Sequence, residues 1–295
     1  MLSESVTYIR VPQKYGQPKD GVEQGPTSLE SYGVLSHLSK KKKVDIETIS
    51  MPQGSRDTAK GLKNLEKVYS LNLELRDTIA KHYSHTRFVL NVGGDHSIGL
   101  GTVAGAVKAS DKSTPNARVG VVWFDAHPDI NTAESSPSGN IHGMPLACCV
   151  GIGPEKLNTV MTRKITPEDL FYVGIRSIDP GERSEIKVES VSNYTAEQVK
   201  KVGMKKVVEE IFKKFENYDY VHLSFDIDGI DPKYIIGTGT PVPNGVELED
   251  AIYFMKEMGK MKNLHSADIV EYNPVIEEKV TGPNVMKCID ALFGI

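Results

Sequence analysis

Residues 119–129 of this chain read VGVVWFDAHPD, and this segment decides the fold. Its first half is a run of apolar, mostly β-branched residues, which is typical of a buried strand. Such strands usually belong to parallel sheets, whose ligands bind at the carboxyl ends of the strands. Asp125, His127 and Asp129 follow two residues apart, so an extended chain would point all three side chains the same way. Because unpaired carboxylates are costly to bury, this pattern indicates a metal site.

Two other apolar segments end in the same kind of polar cluster. Residues 220–225 (YVHLSF) run into DIDG, and residues 88–92 (FVLNV) run into GGDHS. Any one of these acidic or histidine residues alone would be interpreted as a cap, a turn or a core hydrogen-bonding group. Their recurrence at three strand ends favours a single constellation instead. The candidate ligands are His96, Asp125, His127, Asp129, Asp226 and Asp228.

The composition of this ligand set predicts its chemistry. Four carboxylates and two imidazoles exceed what one ion needs, and they suit two ions that share bridging carboxylates. Oxygen-rich ligation with some nitrogen and no thiolate favours Mn²⁺, although Zn²⁺, Co²⁺ or Fe²⁺ would also fit. Two ions about 3.5–4 Å apart hold a bridging water and lower its pKa, which indicates metal-assisted hydrolysis. A calcium loop starting at Asp226 is disfavoured, because Gly237 stands where its twelfth-position glutamate is required.

Composition and charge exclude several classes of protein. Of 295 residues, 39% are hydrophobic and 25% are charged, as in an ordinary globular protein. A formal net charge of −4 argues against nucleic acid or an anionic membrane surface as the main partner. No apolar run approaches the roughly 18 residues of a membrane span, and no secretory signal is evident. Three cysteines give no disulfide framework, so we expect a reduced, cytoplasmic protein.

Predicted strands and helices alternate along the chain, which is the mark of a parallel sheet with helices on both faces. Thr27 and Glu30 have the spacing of a capping box at the start of a helix. No linker, repeat or composition break divides the chain, so residues 1–295 are expected to form one catalytic domain of α/β class. Helices are predicted at 27–40, 58–83, 99–110, 195–218, 247–259 and 281–293, and further strands at 6–11, 44–50, 171–175 and 264–270.

The chain resembles the arginase branch of the ureohydrolase family. The matching motifs keep the family's order and span nearly the whole chain. The resemblance implies a three-layer α/β/α fold with a central parallel sheet and two Mn²⁺ ions per subunit. The motifs are GVEQGP (21–26), GGDHS (93–97), DAHPDINT (125–132), SGNIHG (138–143), DPGE (179–182), SFDIDGIDP (224–232), GTGTP (237–241) and EYNP (271–274).

The implied reaction is hydrolysis of L-arginine to L-ornithine and urea, by attack of a metal-bridging hydroxide on the guanidinium carbon. Carried over by motif, Asp129 would take part in proton transfer to the leaving amine. His142 would shuttle protons, and Glu271 would hold the guanidinium by a charge-assisted pair. One Mn²⁺ would be bound by His96, Asp125, Asp129 and Asp226, and the other by His127, Asp125, Asp226 and Asp228.

The metal motif does not choose among guanidino substrates, because relatives that cleave agmatine, guanidinobutyrate or formiminoglutamate have nearly the same one. The resemblance assigns that choice to loop residues near the α-carboxylate of arginine, a group that agmatine lacks. Neutral donors suit a carboxylate and acidic acceptors suit an ammonium. Asn131 and Ser138, with Asn140 beside them, would meet the carboxylate; Asp179 and Glu182 would contact the amino group; Thr240, with His142 and Glu271, would line the pocket.

Two departures from the family pattern and three alternatives accompany this hypothesis. Pro128 replaces the more usual threonine, glycine or alanine, and Ser177 stands where many arginases carry aspartate.

Another ureohydrolase, chiefly an agmatinase, is the first alternative. An inactive relative with a binding or regulatory role is disfavoured because no ligand is lost, and a deacetylase because that class lacks the dimetal set. The family also implies a homo-oligomer, either a trimer or a hexamer.

Overall fold

One eight-stranded sheet organises the computed structural model, which describes residues 2–57, 61–84, 86–185 and 191–295. Its strands are β1 (Ser5–Val11), β2 (Lys43–Thr48), β3 (Arg87–Gly93), β4 (Val119–Phe124), β5 (Leu170–Gly174), β6 (Ser192–Thr195), β7 (Tyr220–Asp226) and β8 (Leu264–Val270). All neighbouring strands are parallel, in the order β2-β1-β3-β8-β7-β4-β5-β6. The predicted α/β class with a central parallel sheet is therefore confirmed.

Helices cover both faces of this sheet. Successive strand residues point to opposite sides, and the side chains on both sides are apolar. Val122 and Phe124 pack into one apolar cluster, whereas Val121 and Trp123 pack into another. Among the described residues, no helix combines the length and the apolar character needed to cross a bilayer. The helices are α1 (Gly25–Ser31), α2 (Val34–Ser39), α3 (Leu65–His82), α4 (Gly99–Ser113), α5 (Pro145–Val150), α6 (Glu155–Asn158), α7 (Pro180–Glu185), α8 (Ala196–Val202), α9 (Met204–Phe215), α10 (Leu248–Met258) and α11 (Thr281–Phe293).

The first predicted helix, 27–40, is wrong in its start and in its continuity. Helix α1 begins at Gly25, so Thr27 lies inside it and does not cap it. Glu30 binds the Arg10 side chain instead of completing a capping box. Gly33 adopts φ 91 between α1 and α2, a left-handed conformation that costs glycine little and that divides the helix.

Two more predicted helices are shorter than the sequence pattern suggested. The helix expected at 195–218 is divided at Gly203, where φ is 83. The helix expected at 58–83 begins at Leu65, because Asn64 before it has a left-handed φ of 57. Residues 58–60 of that prediction lie outside the described part of the chain. Neither correction disturbs the strands that carry the candidate ligands.

The strand order places the candidate site at the centre of the sheet. Strands β3, β8, β7 and β4 are neighbours, although they are distant in sequence. Open parallel sheets bind ligands outside the carboxyl ends of their strands, where the direction of winding reverses. The polar clusters after β3, β4 and β7 all lie at this edge.

Candidate metal centre

Three carboxylates surround one imidazole at the carboxyl ends of β3, β4 and β7. Nδ1 of His96 lies 3.0 Å from a carboxylate oxygen of Asp125, of Asp129 and of Asp226. This nitrogen is buried and makes no hydrogen bond. One imidazole nitrogen and three carboxylate oxygens that converge in this way form a donor set suited to a divalent cation.

A second group of ligand atoms shares one carboxylate with the first. Nδ1 of His127 lies 3.2 Å from Asp228 Oδ2 and 3.5 Å from Asp125 Oδ1. Asp125 therefore presents one oxygen to each imidazole, which is the arrangement of a bridging carboxylate. In both the His96–Asp125–Asp226 group and the Asp125–His127–Asp228 group, the ligand atoms lie within 4.8 Å of one another. The structure thus brings all the predicted ligands together, and their geometry fits two neighbouring cations.

The convergence of the ligands after β4 comes from a turn and not from an extended chain. Strand β4 ends at Phe124, and Asp129 adopts a left-handed backbone with φ 52. Our expectation that an extended segment aligns these side chains is therefore wrong, although they do converge. Two hydrogen bonds hold the turn: Tyr172 Oη donates to the Pro128 carbonyl at 3.0 Å, and Leu146 N donates to the Asp129 carbonyl at 3.0 Å.

His96 is positioned by the close approach of two loops. A Cβ atom on Gly94 would lie 1.8 Å from the Gln13 carbonyl oxygen, so only glycine fits there. The next residue, Asp95, accepts hydrogen bonds from the backbone N–H groups of Gly16 and Ser97. Burial raises the pKa of Asp95 to about 6. Gly94 of the GGDHS motif therefore allows the two loops to pack closely.

Two residues that the sequence analysis did not assign to the site hold the first group of ligands. The Trp123 ring stacks on His96 with centroids 4.1 Å apart and an interplanar angle of 6°. Trp123 Nε1 also donates to Asp125 Oδ2 at 3.0 Å, and Ser224 Oγ lies 2.7 Å from His96 Nε2. Trp123 lies in β4 two residues before Asp125, and this spacing was the signal that could have identified it.

The electrostatics of the cluster reflect crowded carboxylates. Burial, with the nearby charges of Asp228 and Asp125, raises the pKa of Asp226 well above its ordinary value. Burial, with the charge of Asp125, raises the pKa of Asp129 to about 6. Burial alone would lower the pKa of His96, but the surrounding carboxylates raise it well above its usual range. A bound cation would relieve this repulsion and favour the ionised carboxylates.

A cleft with a cavity volume of about 100 Å³ opens over the ligand cluster. Ser136 and Gly143 also line it, although the sequence analysis did not select them, and so does Ser177. Its other lining residues outside the ligand cluster are all predicted substrate residues: Asn131, Ser138, Asn140, His142, Asp179, Glu182 and Thr240.

Hydrogen bonds fix the loops that form this cleft. Asn131 Nδ2 donates to Asp179 Oδ2 at 3.0 Å. The two oxygens of Glu182 accept from Ile130 N at 3.1 Å and from Asp179 N at 2.8 Å, so this buried carboxylate joins two loops. Burial raises the pKa of Glu182 to about 7. Glu182 therefore has a structural role besides any contact with a ligand.

Three further predicted residues lie near the metal cluster or at the cleft wall. Thr240 Oγ1 donates to Asp228 Oδ2 at 3.0 Å, and Ser138 Oγ accepts from Asn140 N at 3.2 Å. Lys63 Nζ lies 3.4 Å from the Asn140 side-chain oxygen. Thr240 is thus tied to a candidate ligand, whereas Ser138 and Asn140 form the outer wall.

Glu271 is buried and connects His96 to His142. It has a left-handed φ of 65, and its Oε1 accepts from the His96 backbone N–H at 2.8 Å. The same oxygen lies 3.1 Å from His142 Nδ1. Burial lowers the pKa of His142, but pairing with Glu271 outweighs this and raises it. The expected contact of Glu271 with a guanidinium group stays a prediction.

Comparisons with known proteins point to one family along the whole chain. The arginase family model matches residues 4–293. The arginase of Entamoeba histolytica is 62% identical over 297 residues, covering 100% of this chain and 99% of that protein. The crystal structure of that arginase in complex with L-ornithine matches with a TM-score of 0.96 over 100% of both chains.

A bacterial relative gives the same result at lower identity. The arginase of Bacillus subtilis is 37% identical over 298 residues and covers 99% of both chains. Its crystal structure matches with a TM-score of 0.91, at 38% identity and 99% coverage of both chains. Sequence and fold therefore agree over nearly the full length.

Proposed function

This chain belongs to the arginase family, and on that premise we propose that it hydrolyses L-arginine to L-ornithine and urea at a binuclear Mn²⁺ centre. The observation that carries the proposal is the shared position of Asp125 between the two imidazoles of His96 and His127. One ion would be held by His96, Asp125, Asp129 and Asp226. The other would be held by His127, Asp125, Asp226 and Asp228.

When bound, the metal pair activates water for attack on the guanidinium carbon. Asp129 lies beside His96 and lines the cleft, and it would accept a proton there and transfer it to the departing amine. Its left-handed backbone directs the carboxylate inward. Holding such a conformation at a reacting group is a common use of backbone strain.

His142 would carry out the remaining proton transfer, and Glu271 would hold its imidazole. With Nδ1–H donated to Glu271, Nε2 of His142 is the nitrogen left to exchange a proton with the cleft. Pairing with Glu271 raises the pKa of His142, which favours the protonated imidazole. The second Glu271 oxygen would pair with the guanidinium group.

The loops over the cleft would select arginine over agmatine. The Asn131 amide, already oriented by Asp179, would donate to the α-carboxylate of arginine, with Ser138 as a second donor. Asp179 would accept from the α-ammonium. Because agmatine lacks the carboxylate, it would leave these donors unpaired, which a polar site penalises strongly. In support, the Entamoeba relative was crystallised in complex with L-ornithine.

The test is urea release from L-arginine and from agmatine, measured in parallel on metal-free protein that has been reloaded with Mn²⁺. We expect arginine to be cleaved far faster than agmatine. A preference for agmatine would keep the metal chemistry and refute the substrate assignment, whereas no urea from either substrate would refute the proposed reaction. Metal analysis should find two Mn²⁺ per subunit, and sedimentation equilibrium should find the trimer or hexamer that the family implies.

The variant Asn131→Ala tests the proposed contact with the α-carboxylate. It should reduce kcat/KM for arginine and leave the weak agmatine rate nearly unchanged, so that the ratio of the two falls. Ser136→Ala is the matched control, because Ser136 lines the same cleft and is assigned no substrate contact. An equal loss for both substrates in Asn131→Ala would contradict the carboxylate contact.

A further inference from the structure

A buried row of polar side chains on β7 and β8 leads to His96. Nε2 of His222 lies 3.1 Å from Asp268 Oδ2, and both residues are fully buried. The strand register pairs Ser224 with Asp268, whose other carboxylate oxygen, Oδ1, is buried and has no hydrogen-bond partner among the described residues. Ser224 Oγ lies 2.7 Å from His96 Nε2. Ser224 therefore lies beside the His222–Asp268 pair on one side and beside a candidate metal ligand on the other.

Stability of the fold alone does not explain these buried polar side chains. It lies within the apolar strands β7 and β8, where the neighbouring side chains Leu223, Phe225 and Ile269 are buried and apolar. Burying a carboxylate with its partner is commonly no better for stability than burying an apolar pair of similar volume. A role at the metal centre would account for retaining it.

The chemistry of the row sets the direction of its hydrogen bonds. Burial opposes the ionisation of Asp268, but the adjacent His222 outweighs this and lowers the pKa of Asp268. An ionised carboxylate only accepts hydrogen bonds, so the unpartnered Asp268 Oδ1 is the acceptor available to the Ser224 hydroxyl beside it. The Ser224 oxygen is then free to accept from Nε2–H of His96. With its proton on Nε2, His96 would present the lone pair of Nδ1 to a cation bound among the carboxylates.

We propose that Asp268, paired with His222, is a positioning residue that acts through Ser224 to fix the tautomer and ring orientation of His96 for metal binding. This inference rests on the proposed function, in which His96 binds Mn²⁺. Partners of this outer kind typically change metal affinity by about 10–100-fold when they are removed. Asp268 touches neither the metal nor the substrate, so its effect belongs to metal affinity and not to substrate contact.

Asp268→Asn tests this inference because an amide is nearly the same size and can also donate. Its NH₂ group can donate to Ser224, which turns the Ser224 hydroxyl toward His96 and favours the wrong tautomer. Metal-free protein is titrated with Mn²⁺, and free Mn²⁺ is followed by its electron paramagnetic resonance signal. We expect one of the two Mn²⁺ ions per subunit to bind about 10–100-fold more weakly.

Thr102→Val is the matched control. Thr102 Oγ1 donates to the same carboxylate oxygen at 2.6 Å but makes no link to His96. This variant removes a buried hydrogen bond of similar kind, so its melting temperature should fall while its Mn²⁺ affinity stays close to the original. An equal loss of affinity in both variants would show a general effect of core damage and would overturn the proposal.

A double variant, His222→Leu with Asp268→Leu, keeps the proposal falsifiable if Asp268→Asn does not fold. Replacing both partners by apolar groups leaves no buried charge unpaired, so we expect a folded protein. Its Mn²⁺ affinity should nevertheless fall as in Asp268→Asn. Unchanged affinity in either folded variant would overturn the positioning role alone, whereas an original chain that binds no Mn²⁺ would overturn the proposed function as well.

Discussion

Replacing Tyr172 by phenylalanine removes a single oxygen atom from beside the metal centre. Tyr172 is fully buried, and its hydroxyl donates to the Pro128 carbonyl at 3.0 Å. That carbonyl precedes Asp129, whose left-handed backbone directs a candidate ligand into the cluster. Tyr172→Phe therefore tests whether this turn is held in place by the hydroxyl.

The structure allows the size of the effect to be estimated. A buried carbonyl left without its donor costs about 1–3 kcal/mol in the free energy of unfolding. The left-handed conformation of Asp129 stores roughly 1–3 kcal/mol, which the turn can release once the hydrogen bond is absent. Displacement of a reacting group by about 1 Å can slow a reaction by around 100-fold. We expect kcat for urea release to fall between about 10-fold and 100-fold, with KM for arginine nearly unchanged.

The assay compares stability and turnover in two tyrosine variants. Tyr218→Phe is the control, because Tyr218 is also buried and its hydroxyl donates to Asp169 Oδ1 at 3.1 Å. Tyr218 lies just before β7, at the end of the sheet opposite the metal centre. Both variants should lose stability in thermal unfolding, and only Tyr172→Phe should lose turnover. Unchanged kcat in a destabilised Tyr172→Phe would refute the reasoning.

Three further predictions follow from the same structure. Asp129→Asn should fold but release urea at least ~100-fold more slowly, as expected when a proton-transfer group is lost; original turnover with full metal content would contradict its role. Burial raises the pKa of Cys148 and of Cys288 to about 12. An aromatic disulfide reagent at pH 8 should therefore modify the three buried thiols only after the protein is unfolded in urea. Rapid labelling of the native protein would count against this prediction. Burial raises the pKa of Glu182 from 4.5 to about 7. Between these pH values the metal-free folded protein holds a proton on Glu182 that the unfolded chain releases. The free energy of unfolding should therefore fall as pH rises from 4.5 to 7. Glu182→Gln should lose that part of the slope, measured by urea unfolding across the pH range.

Strong local patterns allowed several elements to be predicted closely. The strand Leu264–Val270 and the helix Thr281–Phe293 begin and end where the sequence indicated. The helix has a clear apolar period, and turn residues mark the boundaries of both elements. Strand β6 was missed, because Ser192–Thr195 lies at the edge of the sheet, is only half-buried and has no apolar pattern to detect.

The contacts around the ligands were harder to predict than the ligands themselves. Asp and His residues at strand ends are unusual enough to be recognised one motif at a time. Trp123 and Ser224 have no such signature, because a tryptophan or a serine in a strand is ordinary, and Asp268 lies inside a strand and not at its end. Their contacts depend on which strands are neighbours, and placing β8 between β3 and β7 is a property of the whole sheet.

The sequence by itself determined the parallel α/β class and the set of candidate ligands, because both depend on hydrophobic period and residue type within short segments. Only the tertiary structure decided how those ligands meet. The left-handed turn at Asp129, the hydroxyl of Tyr172 above it and the row from His222 to His96 join residues far apart in the chain. Their distances are set by strand order and side-chain packing, and no local pattern encodes either of these.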